Sequence, residues 1–167
     1  MTEESSNNQY LTFQLDSEIF GLEINKVREV LDFTSLNKVP QTPDYMRGVI
    51  NLRGSVVPVI DLRLKFGMEQ AENTASSCII ITEVKFAEGL MILGALADSV
   101  EEVLDLEPAQ IEPAPKIGSK LDTKFIKGLG KQNENFIILL DIDQVFSEEE
   151  ISAAQTVQAG QGGKQVA

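Results

Sequence analysis

Residues 47–66 read RGVINLRGSVVPVIDLRLKF, and this stretch decides the predicted fold. It contains two apolar runs rich in β-branched residues, at positions 49–52 and 56–60, on either side of the sequence Arg-Gly-Ser at 53–55. Two such runs around a short loop that contains glycine are typical of a β-hairpin. The stretch therefore predicts two paired strands, with Arg53 at the tip of the hairpin.

The residues after the hairpin indicate a short helix. Asp61 follows the second apolar run, and an aspartate in this place can accept a hydrogen bond from the first turn of a helix. We predict this helix over residues 62–66. Pro58 interrupts the second run. Because proline cannot donate a hydrogen bond to a β-ladder, we expect it at the edge of a sheet or at a bulge.

The second half of the chain repeats the pattern of the first half. Residues 27–32 (VREVLD) match residues 100–105 (VEEVLD) at a shift of 73 positions, which is 100 minus 27. The hairpin stretch 47–66 matches 127–146 at a shift of 80, which is 127 minus 47. The repetition predicts two related units of about five strands each.

Other segments predict additional strands and helices from the spacing of their apolar residues. Strands are predicted at 10–15, 19–24, 78–84 and 90–96, and helices at 25–31 and 100–104. Short strands with glycine and proline at their corners tend to close into small barrels, since closure removes exposed sheet edges. We predict a mainly β chain of two barrels with a shared apolar core, over about residues 9–66 and 78–147, and leave exchange of strands between them open.

Charge and composition exclude several functional classes. The 167 residues carry a net charge of -12 and include no histidine. An acidic surface without a visible lysine or arginine cluster repels phosphate backbones, so nucleic acid is not an expected partner. Without histidine the commonest general base and zinc ligand are missing, and the chain has no phosphate-binding glycine loop. We expect no metal and no cofactor.

Cysteine content and hydropathy favour the cytoplasm. No apolar run approaches the roughly 20 residues that span a bilayer. The one cysteine, Cys78, stands in an apolar run, and we expect it to be a buried strand thiol. Residues 1–8 are predicted to be disordered, and residues 148–167 to form a helix or a disordered tail.

An enzyme of this composition would need carboxylate or lysine chemistry. The candidates are Asp61 with Lys65, and Asp141 with Asp143. Asp61 and Asp141 occupy the same place in both repeats, immediately before a predicted helix. Helix capping explains these two aspartates more simply than catalysis does.

The tip of the hairpin differs between the two repeats. Asn51, Leu52, Arg53 and Gly54 fall on Lys-Gln-Asn-Glu at 131–134, so a barrel of this kind does not require the first sequence. An exposed arginine on a rigid hairpin suits recognition, because its planar guanidinium can form two hydrogen bonds while its stem packs. We interpret residues 51–54 as a recognition tip, with a solvated turn or an intrachain ion pair as the alternative for Arg53.

Three further positions have a structural and a functional interpretation that the sequence does not separate. Val27 could pack in the core and Glu29 could be solvated, or both could contact a partner. Gly48, like Gly128 in the second repeat, precedes a hairpin strand. We expect these glycines to meet a backbone demand, either a positive φ or the close approach of another chain segment.

The motifs together resemble a known family. INLRGSVVPVIDLRLKF with the preceding VPQTPDYMRG, and VEEVLDL, IEPAP and FIKGLG in the second half, are similar to the CheW-like domains of bacterial chemotaxis. The resemblance covers residues 9–147 and implies two five-stranded SH3-like β-barrels with short helices. Kinase and receiver members of the family carry additional domains for which the chain is too short, so a stand-alone adaptor is expected.

The resemblance also implies a function and partners. It implies a non-catalytic adaptor that couples chemoreceptors, the methyl-accepting chemotaxis proteins, to the CheA histidine kinase. Expected partners are the regulatory domain of that kinase and the cytoplasmic tip of the receptors, without direct membrane contact. The protein would be cytoplasmic and recruited to membrane-associated receptor arrays. A scaffold of a related non-flagellar chemosensory pathway is the alternative.

The family's binding positions map onto a few residues of this sequence. Those linked to receptor or kinase binding are Val27, Glu29, Gly48 and Arg53, and the remainder of the tip, Asn51, Leu52 and Gly54, completes the expected surface. Which of these residues faces the receptor and which faces the kinase is left open.

Overall fold

The computed structural model describes most of the chain between residues 9 and 146. The described residues are 9–34, 36–38, 40, 43–68, 76–86, 89–113, 125–132 and 134–146. They form eleven β-strands and two four-residue α-helices. The expectations of disorder at residues 1–8 and of a helical or disordered tail at 148–167 lie outside the described residues.

Each half of the chain contributes strands in the order that the repeat predicts. The first half contains β1 (Gln9–Leu15), β2 (Glu18–Glu23), β3 (Val27–Asp32), β4 (Met46–Leu52), β5 (Ser55–Asp61) and α1 (Leu62–Lys65). The second half contains β6 (Cys78–Phe86), β7 (Gly89–Ala97), β8 (Ser99–Asp105), β9 (Ile111–Glu112), β10 (Ile126–Gln132), β11 (Asn135–Leu140) and α2 (Ile142–Val145). Short 3-10 turns, Ile24–Lys26 and Pro108–Gln110, stand before β3 and β9.

The strands form two sheets, and each sheet takes strands from both halves. The described five-stranded sheet has the order β3-β6-β7-β5-β4, and the six-stranded sheet has the order β8-β1-β2-β11-β10-β9. The hairpin β1–β2 therefore lies among strands of the second half, and β6–β7 lies among strands of the first half. Parallel pairing joins β2 to β11 and β5 to β7. The division of the chain into units at 9–66 and 78–147 stays a prediction.

Both sheets curl because the chain returns from one edge strand to the opposite edge. After β3, the backbone of Asn37 pairs with Val49 on β4, with N–O distances of 3.0 and 2.9 Å in the two directions. After β8, the two-residue strand β9 pairs with β10 in the corresponding way. The prediction of a mainly β fold with two SH3-like barrels is confirmed, although β9 adds a sixth strand to one sheet.

The apolar core has three parts. One cluster belongs to the five-stranded sheet and another to the six-stranded sheet, and the largest takes residues from both. In the largest, four phenylalanine rings follow one another: Phe13 to Phe20 at 5.9 Å, Phe20 to Phe66 at 5.9 Å, and Phe66 to Phe125 at 6.1 Å between ring centroids. Phe13 and Phe20 come from the six-stranded sheet, and Phe66 follows α1. The predicted shared core is confirmed.

The two predicted helices at 25–31 and 100–104 are wrong. Residues 27–32 form β3, and residues 99–105 form β8. Each strand contains a bulge: the register slips between Val27 and Glu29 against β6, and β8 places one extra residue between Val100 and Val103 against β1. The extra residue breaks the alternation of a strand and imitates helical spacing. Pairing with a buried neighbouring strand decides the outcome.

The predicted hairpin and helix caps agree with the structure, but the predicted position of Pro58 at a sheet edge or a bulge is wrong, because β5 is an inner strand and the bulge of the hairpin falls between Met46 and Gly48 on β4. Asp61 Oδ1 accepts a hydrogen bond from the backbone N–H of Arg63 at 3.0 Å, which caps α1. Asp141 caps α2 in the same way through the N–H of Asp143, at 3.2 Å. Pro58 lies opposite Val49 on β4, immediately before the point where β5 begins to pair with β7.

Cys78 is a strand residue, but it is half-buried and not fully enclosed. It opens β6, its thiol donates to the backbone oxygen of Ser76 at 3.2 Å, and partial burial raises the pKa of the thiol. None of the helices in the described ranges has both the length and the apolar character required to cross a membrane.

We predict that Phe20→Ala strongly destabilises the protein. Phe20 is fully buried and stacks on both Phe13 and Phe66, so its removal should lower the free energy of unfolding by about 3–5 kcal/mol. The matched control is Phe136→Ala on β11, where the side chain is 49% exposed and the expected change is within about 0.5 kcal/mol. Urea denaturation measures both, and equal losses would contradict the central position of Phe20.

Candidate functional site

The tip of the β4–β5 hairpin is a two-residue turn with an unusual backbone. Arg53 has φ 51° and Gly54 has φ 89°, the left-handed pair that hairpin twist requires in a turn of this length. The side-chain oxygen of Asn51 accepts a hydrogen bond from the N–H of Gly54 at 2.8 Å. Asn51 and Gly54 therefore build the turn, and Arg53 is held in a conformation that non-glycine residues seldom adopt.

An ion pair joins this tip to the opposite edge of the same sheet. The guanidinium of Arg53 donates two hydrogen bonds to the carboxylate of Glu29 on β3. One terminal nitrogen lies 3.4 Å from Oε1, and the other is in closer contact with Oε2. Glu29 raises the pKa of Arg53 through this hydrogen bond and its charge. The side chain of Arg53 is 71% exposed and that of Glu29 is 29% exposed. The structure therefore shows the alternative stated for Arg53, an intrachain ion pair, and this pair brings the predicted residues Glu29 and Arg53, from distant parts of the chain, together at one surface.

The two apolar members of the predicted site lie partly in the core. Val27 begins β3 and packs against the largest core cluster, while Leu52 ends β4 and packs against the cluster of the five-stranded sheet. Each is half-buried. Between Glu29 and Leu31, Val30 is 40% exposed, and its repeat equivalent Val103 is 47% exposed. The repeat alignment could have identified this pair of exposed valines, since 103 minus 30 gives the shift of 73.

Gly48 has a clear role in the fold. Its φ is 149°, and a Cβ there would lie 2.7 Å from the backbone oxygen of Asn37, where the chain closes the sheet. Gly128 does the same in the second repeat, with a Cβ position 2.9 Å from the backbone oxygen of Glu112. The expectation that a backbone demand selects these glycines agrees with this close approach. A contact of Gly48 with a partner stays a prediction.

The carboxylates considered for catalysis have structural partners. Asp61 is 2% exposed and pairs with Arg47 at 2.8 Å while it caps α1. Lys65 lies over the ring of Phe125. Asp143 pairs with Lys26 at 2.7 Å. Within the ranges that the structure covers, no group of three or more cysteine, aspartate or glutamate side chains is arranged to hold a metal ion.

Sequence reasoning missed a polar cleft of about 360 Å³ beside α2. Three lysines and three carboxylates contribute to its walls: Glu23, Lys26, Lys85, Lys127, Asp141 and Asp143. Lys127 contacts Glu23 and lies over the ring of Tyr10, and burial lowers the pKa of its amine. These residues come from both halves of the chain, and the exchange of strands between the halves brings them together.

Comparisons with known proteins agree with the fold. A family model described as CheW-like domain matches residues 9–150. The chemotaxis protein CheW of Klebsiella aerogenes is 35% identical over 154 residues, which are 92% of this chain and 90% of the relative. The probable chemotaxis protein CheW of Rhizobium etli is 35% identical over 89% of this chain and 93% of its own length. The crystal structure of the scaffolding protein TtCheW from Thermoanaerobacter tengcongensis superimposes with a TM-score of 0.75, at 35% identity over 84% of this chain and 88% of that one.

We predict that Gly48→Ala destabilises the protein more than Gly67→Ala does. Both glycines have positive φ, 149° and 78°, but no heavy atom lies within 4 Å of a Cβ at Gly67. Gly67→Ala should therefore cost about 1–2 kcal/mol for the backbone alone. Gly48→Ala should cost a further ~1–3 kcal/mol, because its Cβ displaces Asn37 from β4.

Chemical denaturation of the two variants and the unchanged protein measures this difference. Equal losses would show that Asn37 moves away at little cost, and that the closure of the sheet does not need a glycine at position 48.

Proposed function

Since the chain belongs to the CheW-like domain family, we propose that it couples chemoreceptors to the CheA histidine kinase. In this proposal one surface binds the regulatory domain of the kinase and another binds the cytoplasmic tip of the receptors. The protein would reach membrane-associated arrays from the cytoplasm through these receptors. The net charge of -12 supports recruitment by protein rather than by anionic lipid.

An adaptor role without catalysis follows from the relatives that match nearly the whole chain. Two of them are chemotaxis proteins CheW at 35% identity, and the matching solved structure is that of a scaffolding protein. The aspartates that an enzyme would need, Asp61, Asp141 and Asp143, cap helices or pair with basic side chains. Their positions are those of structural residues.

The single observation that carries the binding proposal is the Arg53–Glu29 pair. An ion pair this exposed contributes little to the stability of a fold. The backbone of Arg53 is in a left-handed conformation that costs free energy for any residue except glycine. A residue that is strained, exposed and of little value to stability is better explained by recognition than by folding.

The geometry also explains what the other predicted residues would do. Asn51 and Gly54 fix the turn, so that the guanidinium of Arg53 stands in one place before a partner arrives. A preorganised group loses less conformational entropy on binding. Val27 and Leu52 expose part of an apolar surface on the two edge strands that the ion pair connects. A helical partner would bury this apolar surface, while Arg53 and Glu29 set its register.

The second repeat supports placing this surface on the five-stranded sheet. At the position of Asn51 it carries Lys131, whose side chain pairs with Glu112 at 3.3 Å, and both side chains are about half exposed. Glu112 belongs to β9, the neighbouring strand of Lys131, so this pair does not bridge two edges of a sheet. Among the described residues, an ion pair that joins a hairpin tip to the opposite edge strand is found in the first repeat, between Arg53 and Glu29.

We predict that Arg53→Glu weakens binding to the kinase regulatory domain or to a receptor cytoplasmic fragment by about tenfold or more, because like charges then meet at position 53 and Glu29. The matched control is Lys131→Glu, which makes the same charge change at the equivalent hairpin of the second repeat. Titration calorimetry with each purified partner measures the affinities, and circular dichroism checks that each variant is folded.

A charge exchange separates recognition from intrachain pairing. Glu29→Arg combined with Arg53→Glu restores an ion pair between the two strands but reverses its direction. If Arg53 binds a partner, this double variant is folded and still binds weakly. Wild-type affinity for both partners in Arg53→Glu would refute the proposed site. The coupling function itself would be refuted if a mixture of receptor and kinase had the same kinase activity whether or not the wild-type protein was added.

A further inference from the structure

Two ion pairs join the halves of the chain at equivalent places. On α1, Arg63 lies 2.7 Å from a carboxylate oxygen of Asp98, and on α2, Asp143 lies 2.7 Å from the amine of Lys26. The shift of the hairpin repeat places Arg63 on Asp143, since 143 minus 63 is 80. Lys26 follows Asn25, the residue that the shift of 73 places on Asp98. The two pairs therefore lie at corresponding places in the two repeats, with the crossover partner displaced by one residue.

Each pair stands where the chain crosses between the sheets. Lys26 belongs to the 3-10 turn between β2 and β3, which leads from the six-stranded sheet to the five-stranded sheet. Asp98 lies between β7 and β8, where the chain crosses in the opposite direction. Each crossover of one half is thus tied to the terminal helix of the other half. We call the two contacts the Arg63–Asp98 latch and the Lys26–Asp143 latch.

The latches are more than surface ion pairs. Asp98 also accepts the backbone N–H of Asp16, from the β1–β2 turn, at 2.7 Å, and Asp143 accepts the backbone N–H of Lys85, on β6, at 2.7 Å. The four latch side chains are only 12% to 33% exposed. Partial removal from water strengthens the interaction between the charges, and it equally strengthens any repulsion between like charges.

The order of charge is opposite in the two latches. In the first latch the helix carries the base and the crossover carries the acid, whereas in the second latch the helix carries the acid and the crossover carries the base. We propose that this opposite order makes each half of the chain pair with the other half and rejects a second copy of itself. The partner that the latches exclude is the same half of another molecule of this chain.

The charges explain the rejection directly. If two first halves paired, Arg63 of one would meet Lys26 of the other, and if two second halves paired, Asp143 would meet Asp98. Both encounters place like charges in a half-buried contact, which discriminates against the wrong pairing. Two halves with the same strand order could also pair with a second copy of themselves, and misassembly of this kind is a characteristic failure of repeated folds. Exchange that pairs a first half with the second half of another molecule keeps both latches, so the charge order acts only against the pairing of like halves.

The test gives both latches the same order of charge between helix and crossover. Arg63→Asp with Asp98→Arg keeps an ion pair in the first latch but gives it the charge order of the second latch. The full chain is unfolded in denaturant, refolded at high protein concentration and sized by gel filtration with light scattering. We expect the fraction of exchanged dimer to rise by about tenfold over the wild-type protein.

Three further variants make the outcome decisive. Lys26→Asp with Asp143→Lys gives both latches the order of the first latch, so it should raise the dimer fraction as well, and it replaces the first variant if that one does not fold. The combination of all four substitutions restores opposite orders and should return the dimer fraction to the wild-type value. Arg63→Lys with Asp98→Glu preserves the order and should behave as the wild type.

Wild-type dimer fractions in a folded same-order variant would overturn the proposal, since the latches would then be local stabilising contacts only. A raised dimer fraction that persists in the fourfold variant would also overturn it. That result would show that disturbance of the contacts, rather than their charge order, permits exchange. Neither result bears on the coupling function, which is tested by binding at Arg53.

Discussion

Pairing between strands of different halves holds the molecule together. Short parallel ladders join β2 to β11 and β5 to β7, and longer antiparallel ladders join β1 to β8 and β3 to β6. Neither half can complete a barrel without a hairpin from the other, so the shared core, the cleft beside α2 and both latches exist only after the halves have combined. Such non-local pairing has to overcome the entropy of closing long loops. Its reward is an apolar core that takes residues from both sheets.

In the five-stranded sheet, the residues that close the sheet differ from the residue proposed to bind a partner. Closure of the sheet depends on backbone contacts at Asn37 and Gly48, and a corresponding close approach at Gly128 is found in the other barrel. Recognition is assigned to Arg53, which is exposed, strained and absent from the second repeat. Because the tip is not required for closure, its sequence is free to match a partner while the scaffold stays unchanged.

Particular elements show how far the sequence can predict this structure. The hairpin and both helix caps follow from local chemistry, which is visible in one sequence, and the demand for glycine at position 48 follows from the glycine at the same place in the second repeat. The helices predicted at β3 and β8 were wrong because a bulge shifts the apolar residues, and a bulge is defined only by the strand opposite. Glu29 and Arg53 were both predicted, but their contact was not, because it depends on the curl of the sheet. The latches required the strand order, which the repeat alone left open.

The row of four phenylalanines has a mechanical consequence. It runs from the six-stranded sheet through Phe13 and Phe20 to Phe66, which follows the terminal helix of the first half, and on to Phe125, which precedes β10. Close-packed interiors of this kind have low compressibility and transmit strain. Packing along this row therefore couples the two barrels, so that a displacement imposed on one barrel would strain contacts made by the other.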